Sequence, residues 1–192
     1  MKGLAFLKDP QGYWIEIIRR APDSVVPAST PFSLAQTMIR CKDPVKTLHF
    51  YRDLLGMTLL RTSHYPDAKF SLYFLAHLPP GTPHPDPESK EASEFIATMH
   101  AQVLEITHNH GTEAKSDEEF SYHNGNDQDK GQIRGFGHVG FLVDELEGSC
   151  AWLQEQGVDF KKLPSDGAMR GLAFAYDPDR YWVELIQRGV AF

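Results

Sequence analysis

Residues 1–20, MKGLAFLKDPQGYWIEIIRR, and residues 169–188, MRGLAFAYDPDRYWVELIQR, agree at about a dozen positions. So dense an internal match obliges both stretches to take the same local structure. In each, an apolar Gly-Leu-Ala-Phe strand runs into an Asp-Pro turn and then into a Tyr-Trp-x-Glu strand. The chain therefore starts with a second copy of its own final strand pair. The intervening APDSVVPASTP is rich in proline and small polar residues and reads as a linker over 21–32, so that the main folded unit is expected to start near Phe32.

From there two copies of one βαβββ plan follow, read from periodicity. In the first, Leu34–Cys41 is a strand. Asp43-Pro44 opens a helix whose apolar residues Val45, Leu48, Phe50, Tyr51, Leu54 and Leu55 keep helical spacing up to Gly56. Strands are predicted at Met57–Arg61, Phe70–Ala76 and Ala101–Thr107. In the second, a strand at Phe136–Val143 precedes a helix over Leu146–Gln156 stopped by Gly157, then strands near Asp159–Lys161, Gly171–Tyr176 and Tyr181–Ile186. Polar insertions at 79–90 and 111–132 lack core periodicity, and a short helix is predicted at Glu91–Met99. The division is a strand-pair remnant (1–20), the linker, a first module (33–110), a connecting insertion (111–133) and a second module (134–188).

Composition narrows the partners. A net charge of -7 over 192 residues leaves no basic stripe for nucleic acid, so a small molecule is expected. Two cysteines, Cys41 and Cys150, do not make a disulfide framework. No apolar run reaches the roughly 18 residues of a membrane span, and the N-terminus turns charged too soon for a signal peptide. A cytoplasmic protein is the expectation.

Four polar residues interrupt strands that otherwise read as buried: Gln36 and Glu105 on the first and last strands of the first module, His138 and Glu184 on the corresponding strands of the second. A carboxylate flanked by Leu, Ile, Val and Trp is costly to bury alone, so these side chains either face solvent or converge on a cation. First and last strands of a βαβββ unit become neighbours when the small sheet wraps, which pairs Gln36 with Glu105 and His138 with Glu184. One imidazole, two carboxylates and an amide oxygen suit a borderline divalent ion with an open coordination position.

The series Gln36-Thr-Met-Ile-Arg40, Asp43-Pro44, Phe50-Tyr51, Leu55-Gly56-Met57, Lys69–Leu75, Leu104–Asn109, Tyr122–Asn126, Arg134–Gly140, Gly171–Phe174, Asp177-Pro178 and Tyr181–Glu184 resembles eukaryotic glyoxalase I over residues 33–188. The resemblance implies an α+β chain of paired βαβββ modules, the vicinal-oxygen-chelate or glyoxalase fold. It implies a metal held by Gln36, Glu105, His138 and Glu184, zinc rather than nickel because of the long insertions. It further implies isomerisation of the glutathione–methylglyoxal hemithioacetal, with Glu184 as the base and Glu105 as a second carboxylate. Arg40, Asn109 and Arg134 match glutathione-binding positions, Lys162 and Met169 match further substrate contacts, and Leu72, Phe74, Leu172 and Phe174 would line the pocket for the aldehyde-derived end. Ala168 departs from the lysine common there.

Residues 1–20 look like the end of a preceding module in a tandem enzyme, which leaves Glu16 as a ligand-like residue without an upstream histidine. Single-copy members of the family pair the first module of one subunit with the second module of its mate, so a homodimer with the metal site at its interface is expected; a self-closed monomer is the competing arrangement. An extradiol dioxygenase would need two histidines and a glutamate, against Gln36. A metal-free drug-binding protein would lack the ligand set, and an inactive fragment remains the alternative. His108, His110 and His123 read as loop histidines rather than a second metal site.

Overall fold

The computed structural model describes residues 4–19, 32–99, 101–126, 134–167, 169 and 171–189. Most of the linker, the end of the second insertion and Ala168 lie outside the described residues. The described residues form three sheets. β1 (Leu4–Lys8) and β2 (Trp14–Ile18) form a hairpin bonded to no other strand. β3 (Gln36–Cys41), β4 (Thr58–Tyr65), β5 (Phe70–Ala76) and β6 (Val103–Asn109) form the second sheet in the order β3-β6-β5-β4. β7 (His138–Val143), β8 (Phe160–Lys162), β9 (Leu172–Tyr176) and β10 (Trp182–Gln187) form the third, in the order β7-β10-β9-β8. In both four-stranded sheets the first strand of the module pairs parallel with the last, as the wrapped arrangement requires.

The helices form where local signals place them. Asp43 caps α1 (Pro44–Leu48), accepting from the amides of Val45 at 2.9 Å and Lys46 at 3.4 Å, with Pro44 in the first turn where no amide is needed. The single helix predicted over 44–55 is instead α1 followed by a π-helical turn, His49–Leu54, in which the Leu55 amide reaches the Phe50 carbonyl at 3.0 Å. The wider turn places Phe50 and Tyr51 together in the core. Gly56, at φ +72°, then reverses the chain in the left-handed conformation that glycine tolerates. α2 (Glu91–Thr98) lies after the first insertion, and α3 (Leu146–Glu155) is capped by Glu145. None of these helices is long and apolar enough to cross a membrane.

Strand alternation decides what the modules share. Ile39, Cys41, Leu75, Leu104 and Ile106 of the first module and Ala173, Ala175, Val183 and Leu185 of the second are buried in one cluster, together with Phe50, Tyr51 and, from α3, Leu146, Cys150 and Leu153. Successive side chains on a strand point to opposite faces, so the residues between these positions turn away from the common core. On the first sheet, a smaller cluster of Leu60, Phe74, Ala76 and Val103 packs with Phe95 and Ile96 of α2.

A polar junction fastens the modules across their core. The buried Tyr51 hydroxyl donates to Asp177 Oδ2 at 3.0 Å, and the Lys42 amide donates to Asp179 Oδ1 at 3.0 Å. Burial, then the charge of Asp179, pushes the Asp177 carboxyl up to about 7; burial likewise pushes Asp179 up to about 6. A carboxyl whose folded value lies above its unfolded one holds its proton better when folded, so stability falls as pH rises from the ordinary carboxylate range through about 7. In Asp179→Asn, which keeps an oxygen for the Lys42 amide but removes the facing charge, the decline of the thermal midpoint between mildly acidic and neutral pH is expected to be shallower than in the parent chain. Differential scanning calorimetry over that range measures it; equal slopes would remove Asp179 from the cause.

Candidate metal centre and substrate surface

Gln36 opens β3, and its Nε2 donates to Glu105 Oε2 at 2.5 Å on the neighbouring strand. Glu105 sits opposite Met38 on β3 and opposite Phe74 on β5, on the sheet face turned from the common core. It is buried there among apolar neighbours. That burial, then the Glu16 carboxylate, pushes its carboxyl up to about 7, while Arg40 and Arg61 pull it down. The amide of Gln36 turns its nitrogen to the carboxylates here; a half-turn about its terminal bond presents the oxygen, the atom a cation would use.

The second module repeats the geometry. His138 opens β7 beside Trp182, and its Nε2 stands 3.1 Å from Glu184 Oε2. Phe174 is the cross-strand partner of Glu184 on β9, and its ring meets the His138 ring edge-on at 5.5 Å between centroids. Gly140 follows on the same face. A Cβ there would lie 3.8 Å from Glu184 Oε2, in ordinary contact with the carboxylate.

The two predicted pairs therefore form, but each on the outward face of its own sheet. Among the described residues no group of three or more His, Cys, Asp and Glu side chains comes together to hold a metal. Each half contributes two of the predicted donors, and the donor set fits a divalent ion only when the halves meet.

Around the first pair the structure places Leu72 opposite Thr107 and Phe74 opposite Glu105, with Arg40 exposed farther along β3. Asn109 at the end of β6 donates to the Tyr122 hydroxyl at 2.8 Å. Around the second pair lie Leu172 and Phe174 of β9. Arg134 is exposed ahead of β7, and Met169 is exposed in the loop before β9. Lys162 differs from a free cation. Its ammonium donates to the backbone carbonyls of Leu163 at 3.1 Å, Met169 at 2.7 Å and Leu172 at 3.2 Å, pinning that loop.

Two features escaped the sequence reading. Arg61 of β4 lies with its guanidinium 5.5 Å from the Phe74 ring centre and acts on Glu105; its place across from Phe74 in the β4–β5 ladder was the available signal. Glu16, expected to be stranded, accepts a hydrogen bond from Gln36 Nε2 at 3.0 Å. Of the histidines expected in loops, His108 instead lies buried on β6, its Nε2 2.8 Å from Glu113 Oε2, and His110 Nε2 stands 2.8 Å from Ser71 Oγ. A cavity of about 380 Å³ opens beside Leu54, His77, Phe141 and Trp152, away from all four candidate ligands.

The approach to His138 is shaped by the Tyr122–Asn126 motif. Asn126 Nδ2 donates to the Phe136 carbonyl at 3.1 Å and to that of Gly137, and the Gly135 amide donates to the Gly125 carbonyl at 2.9 Å. Gly125 has φ +85°, and a Cβ there would fall 2.2 Å from the Phe136 carbonyl oxygen.

The chain belongs to the glyoxalase/bleomycin resistance protein/dioxygenase superfamily, which it matches over residues 33–185. It is 39% identical to a lactoylglutathione lyase of Schizosaccharomyces pombe over 98% of its own length and 56% of that protein's. It is 43% identical to the lactoylglutathione lyase of Pseudomonas putida, over 84% of this chain and 88% of that one. The chain thus spans little more than half of the fission-yeast relative. The crystal structure of glyoxalase I from Zea mays superposes with a TM-score of 0.64 at 26% identity, covering 96% of this chain and 53% of that one.

Gly125→Ala should cost about 1–3 kcal/mol from the left-handed backbone alone, with the clash added. Denaturant unfolding checks this, and an unchanged midpoint would show that the 122–126 loop does not hold the strand leading to His138.

Proposed function

We propose that the chain is a metal-dependent lactoylglutathione lyase, isomerising the hemithioacetal of glutathione and methylglyoxal to S-lactoylglutathione. The observation that carries this reading is the equivalence of the two polar pairs, Gln36 with Glu105 and His138 with Glu184, on the first and last strands of two like sheets. Relatives named lactoylglutathione lyase support it. Both pairs face outward, which favours a homodimer in which Gln36 and Glu105 of one copy meet His138 and Glu184 of the other. The proposed ion is Zn2+, with Ni2+ the alternative, and the proposed compartment is the cytoplasm, where Cys41 and Cys150, both buried and unbridged, would stay thiols.

The isomerisation moves one proton between adjacent carbons. Glu184 takes the proton from the carbon bearing sulfur, the electron pair shifts onto the ketone oxygen to form an enediolate, the hydroxyl proton of the first carbon passes to that oxygen, and Glu184 returns its proton to the second carbon, leaving a thioester and a secondary alcohol. A divalent cation, when bound, supplies the positive charge that stabilises the developing oxyanion. Glu105, in its buried place beside Phe74, can serve as base for the opposite hydroxyl configuration. Phe74 and Leu72 on one sheet and Phe174 and Leu172 on the other would enclose the methyl end and exclude water. Arg40, Asn109, Arg134 and Met169 would hold the glutathione part, a remote binding contribution that aids catalysis. Lys162 joins them by exchanging a loop carbonyl for a substrate carboxylate.

Thioester formation followed by ultraviolet absorbance tests the proposal. Chelation should reduce the rate to background and Zn2+ should restore it. Glu184→Gln should lower kcat by about 10²–10⁴-fold, the range for a general base. Absence of thioester with every metal would leave an inactive member of the fold.

Arg40→Ala should raise KM with a smaller change in kcat, as loss of a uniform binding contact does. Steady-state kinetics with varied glutathione adduct separates the two; a loss confined to kcat would place Arg40 at the reacting atoms.

A further inference from the structure

The second insertion, polar and without core periodicity in the sequence, is fastened to strands that carry candidate site residues. Thr112 Oγ1 donates to the Lys42 carbonyl at 2.8 Å, and the Lys42 ammonium donates to Asp117 Oδ1 at 2.6 Å. Farther on, the Phe120 ring meets the Tyr122 ring edge-on at 4.9 Å between centroids, with the Lys115 ammonium 5.1 Å from the Phe120 ring centre. Phe120 and Tyr122 are both half-buried. Toward β7 the described part of the insertion ends at Asn126, whose Nδ2 donates to the Phe136 and Gly137 carbonyls. Tyr122 is therefore held between an aromatic neighbour on one side and a backbone-bonded turn on the other.

The residue that this arrangement reaches is Asn109. Strand alternation puts Glu105, Thr107 and Asn109 on the outward face of β6, and Arg40 stands opposite Thr107 on β3. Four residues separate Asn109 from Glu105, about 13 Å along the strand. An extended tripeptide reaches about 10 Å, so a substrate whose reacting carbon lies near Glu105 can bring its peptide part to Arg40 and Asn109. A strand-end carboxamide can turn either its oxygen or its nitrogen to a ligand. Here Asn109 Nδ2 donates to the Tyr122 hydroxyl at 2.8 Å, which removes that freedom. The bond uses one of the two Nδ2 hydrogens and leaves Oδ1 and the second hydrogen for a ligand.

We propose that Tyr122 is a positioning residue for the reaction, acting through Asn109 by holding its carboxamide in the orientation that receives the peptide part of the glutathione adduct. This rests on the lyase reading, in which Asn109 touches that part of the substrate. Asn109 is then ordered before the substrate arrives, and binding does not lose that freedom again. The contact lies far from the carbons between which the proton moves, so it is the same in ground and transition states. Loss of the Tyr122 hydroxyl consequently acts on KM and not on kcat.

The test is a double-mutant cycle of Tyr122→Phe, Asn109→Ala and the two together in the 192-residue chain loaded with Zn2+. Tyr122→Phe keeps the ring against Phe120 and removes only the hydroxyl. It is expected to raise KM for the glutathione–methylglyoxal adduct by about 2–10-fold, the factor that one neutral hydrogen bond carries, with kcat unchanged. In the Asn109→Ala background the same substitution should change KM no further, because the group it acts through is gone. A merely structural tyrosine would lower the thermal midpoint in both backgrounds alike and show no coupling in KM. Where Asn109→Ala does not fold, Asn109→Ser takes its place in the cycle. Three results overturn the proposal: a parent-like KM in either single variant, additive effects in the double variant, and a loss that falls on kcat. Isothermal titration calorimetry of S-methylglutathione with the same four proteins keeps the proposal separate from the lyase reading. A parent chain that binds S-methylglutathione, shows the coupling in Kd and forms no thioester fails the lyase reading alone. Thioester formation with additive effects fails the positioning proposal alone, and a parent chain that neither binds the conjugate nor forms thioester fails both.

Discussion

Everything in this structure depends on the alternation of side chains across two small sheets packed on one core. Ile39, Cys41, Leu104, Ile106, Val183 and Leu185 point inward and are buried together. The positions between them, Gln36, Glu105, His138 and Glu184, are thereby committed to the opposite faces. Register is strongly enforced, because a one-residue slip of β6 would exchange Ile106 for Glu105 in the core. A carboxylate there, facing only apolar neighbours, would cost several kcal/mol. The parallel pairings that close each sheet, β3 with β6 and β7 with β10, fix the same register that brings Gln36 to Glu105 and His138 to Glu184. Folding stability and assembly of the half-sites are consequences of one pattern.

The junction between modules uses a device found in both copies of the repeat. An Asp-Pro turn in which the aspartate accepts from amides two and four residues on is determined locally, and it forms at Asp9 in an exposed hairpin as it does at Asp177 in the core. What changes is the surroundings. At Asp177 the π-helical turn delivers Tyr51, whose hydroxyl donates to the free carboxylate oxygen. An element that costs nothing at the surface becomes a buried polar tie, satisfied by Tyr51 and by two backbone amides, and able to fix how the modules sit against one another.

Periodicity and punctuation made most elements legible in the sequence. Phe70–Ala76 has the predicted bounds, and β3, β6, β7, β8 and β10 begin or end within about two residues of their predicted bounds. The pairing of first with last strands followed from the wrapped βαβββ plan, and with it the two polar pairs. Their placement on opposite outer faces was not legible, because nothing local says which face of one sheet will meet which face of another. The partners of Glu16, Arg61 and Lys162 were hidden for a related reason. Each reaches across a distance in sequence that propensity does not span: Glu16 to Gln36, Arg61 to the Phe74 ring, Lys162 to the Met169 and Leu172 carbonyls. The π turn was invisible because its apolar spacing is that of an ordinary helix.

Because the four candidate donors are split between outward faces, the proposed metal site would be completed between copies, or between separate modules of a longer chain. A surface that completed the proposed site over Gln36 and Glu105 would bring a carboxylate and an imidazole, and would shield Phe74 and Leu72 from water at the same time. The first half-site is well prepared for this: Glu105 is buried before any partner arrives, and Arg40 and Arg61 offset part of the cost of its charge. The second half-site is more open, with His138 42% exposed and Glu184 16%. The asymmetry follows from α2, which covers part of the first sheet's outer face and has no counterpart in the described part of the second module. The short helix after the first insertion thus makes the two halves unlike. One is a pre-desolvated socket, and the other is an accessible ridge shaped by β9 and β10.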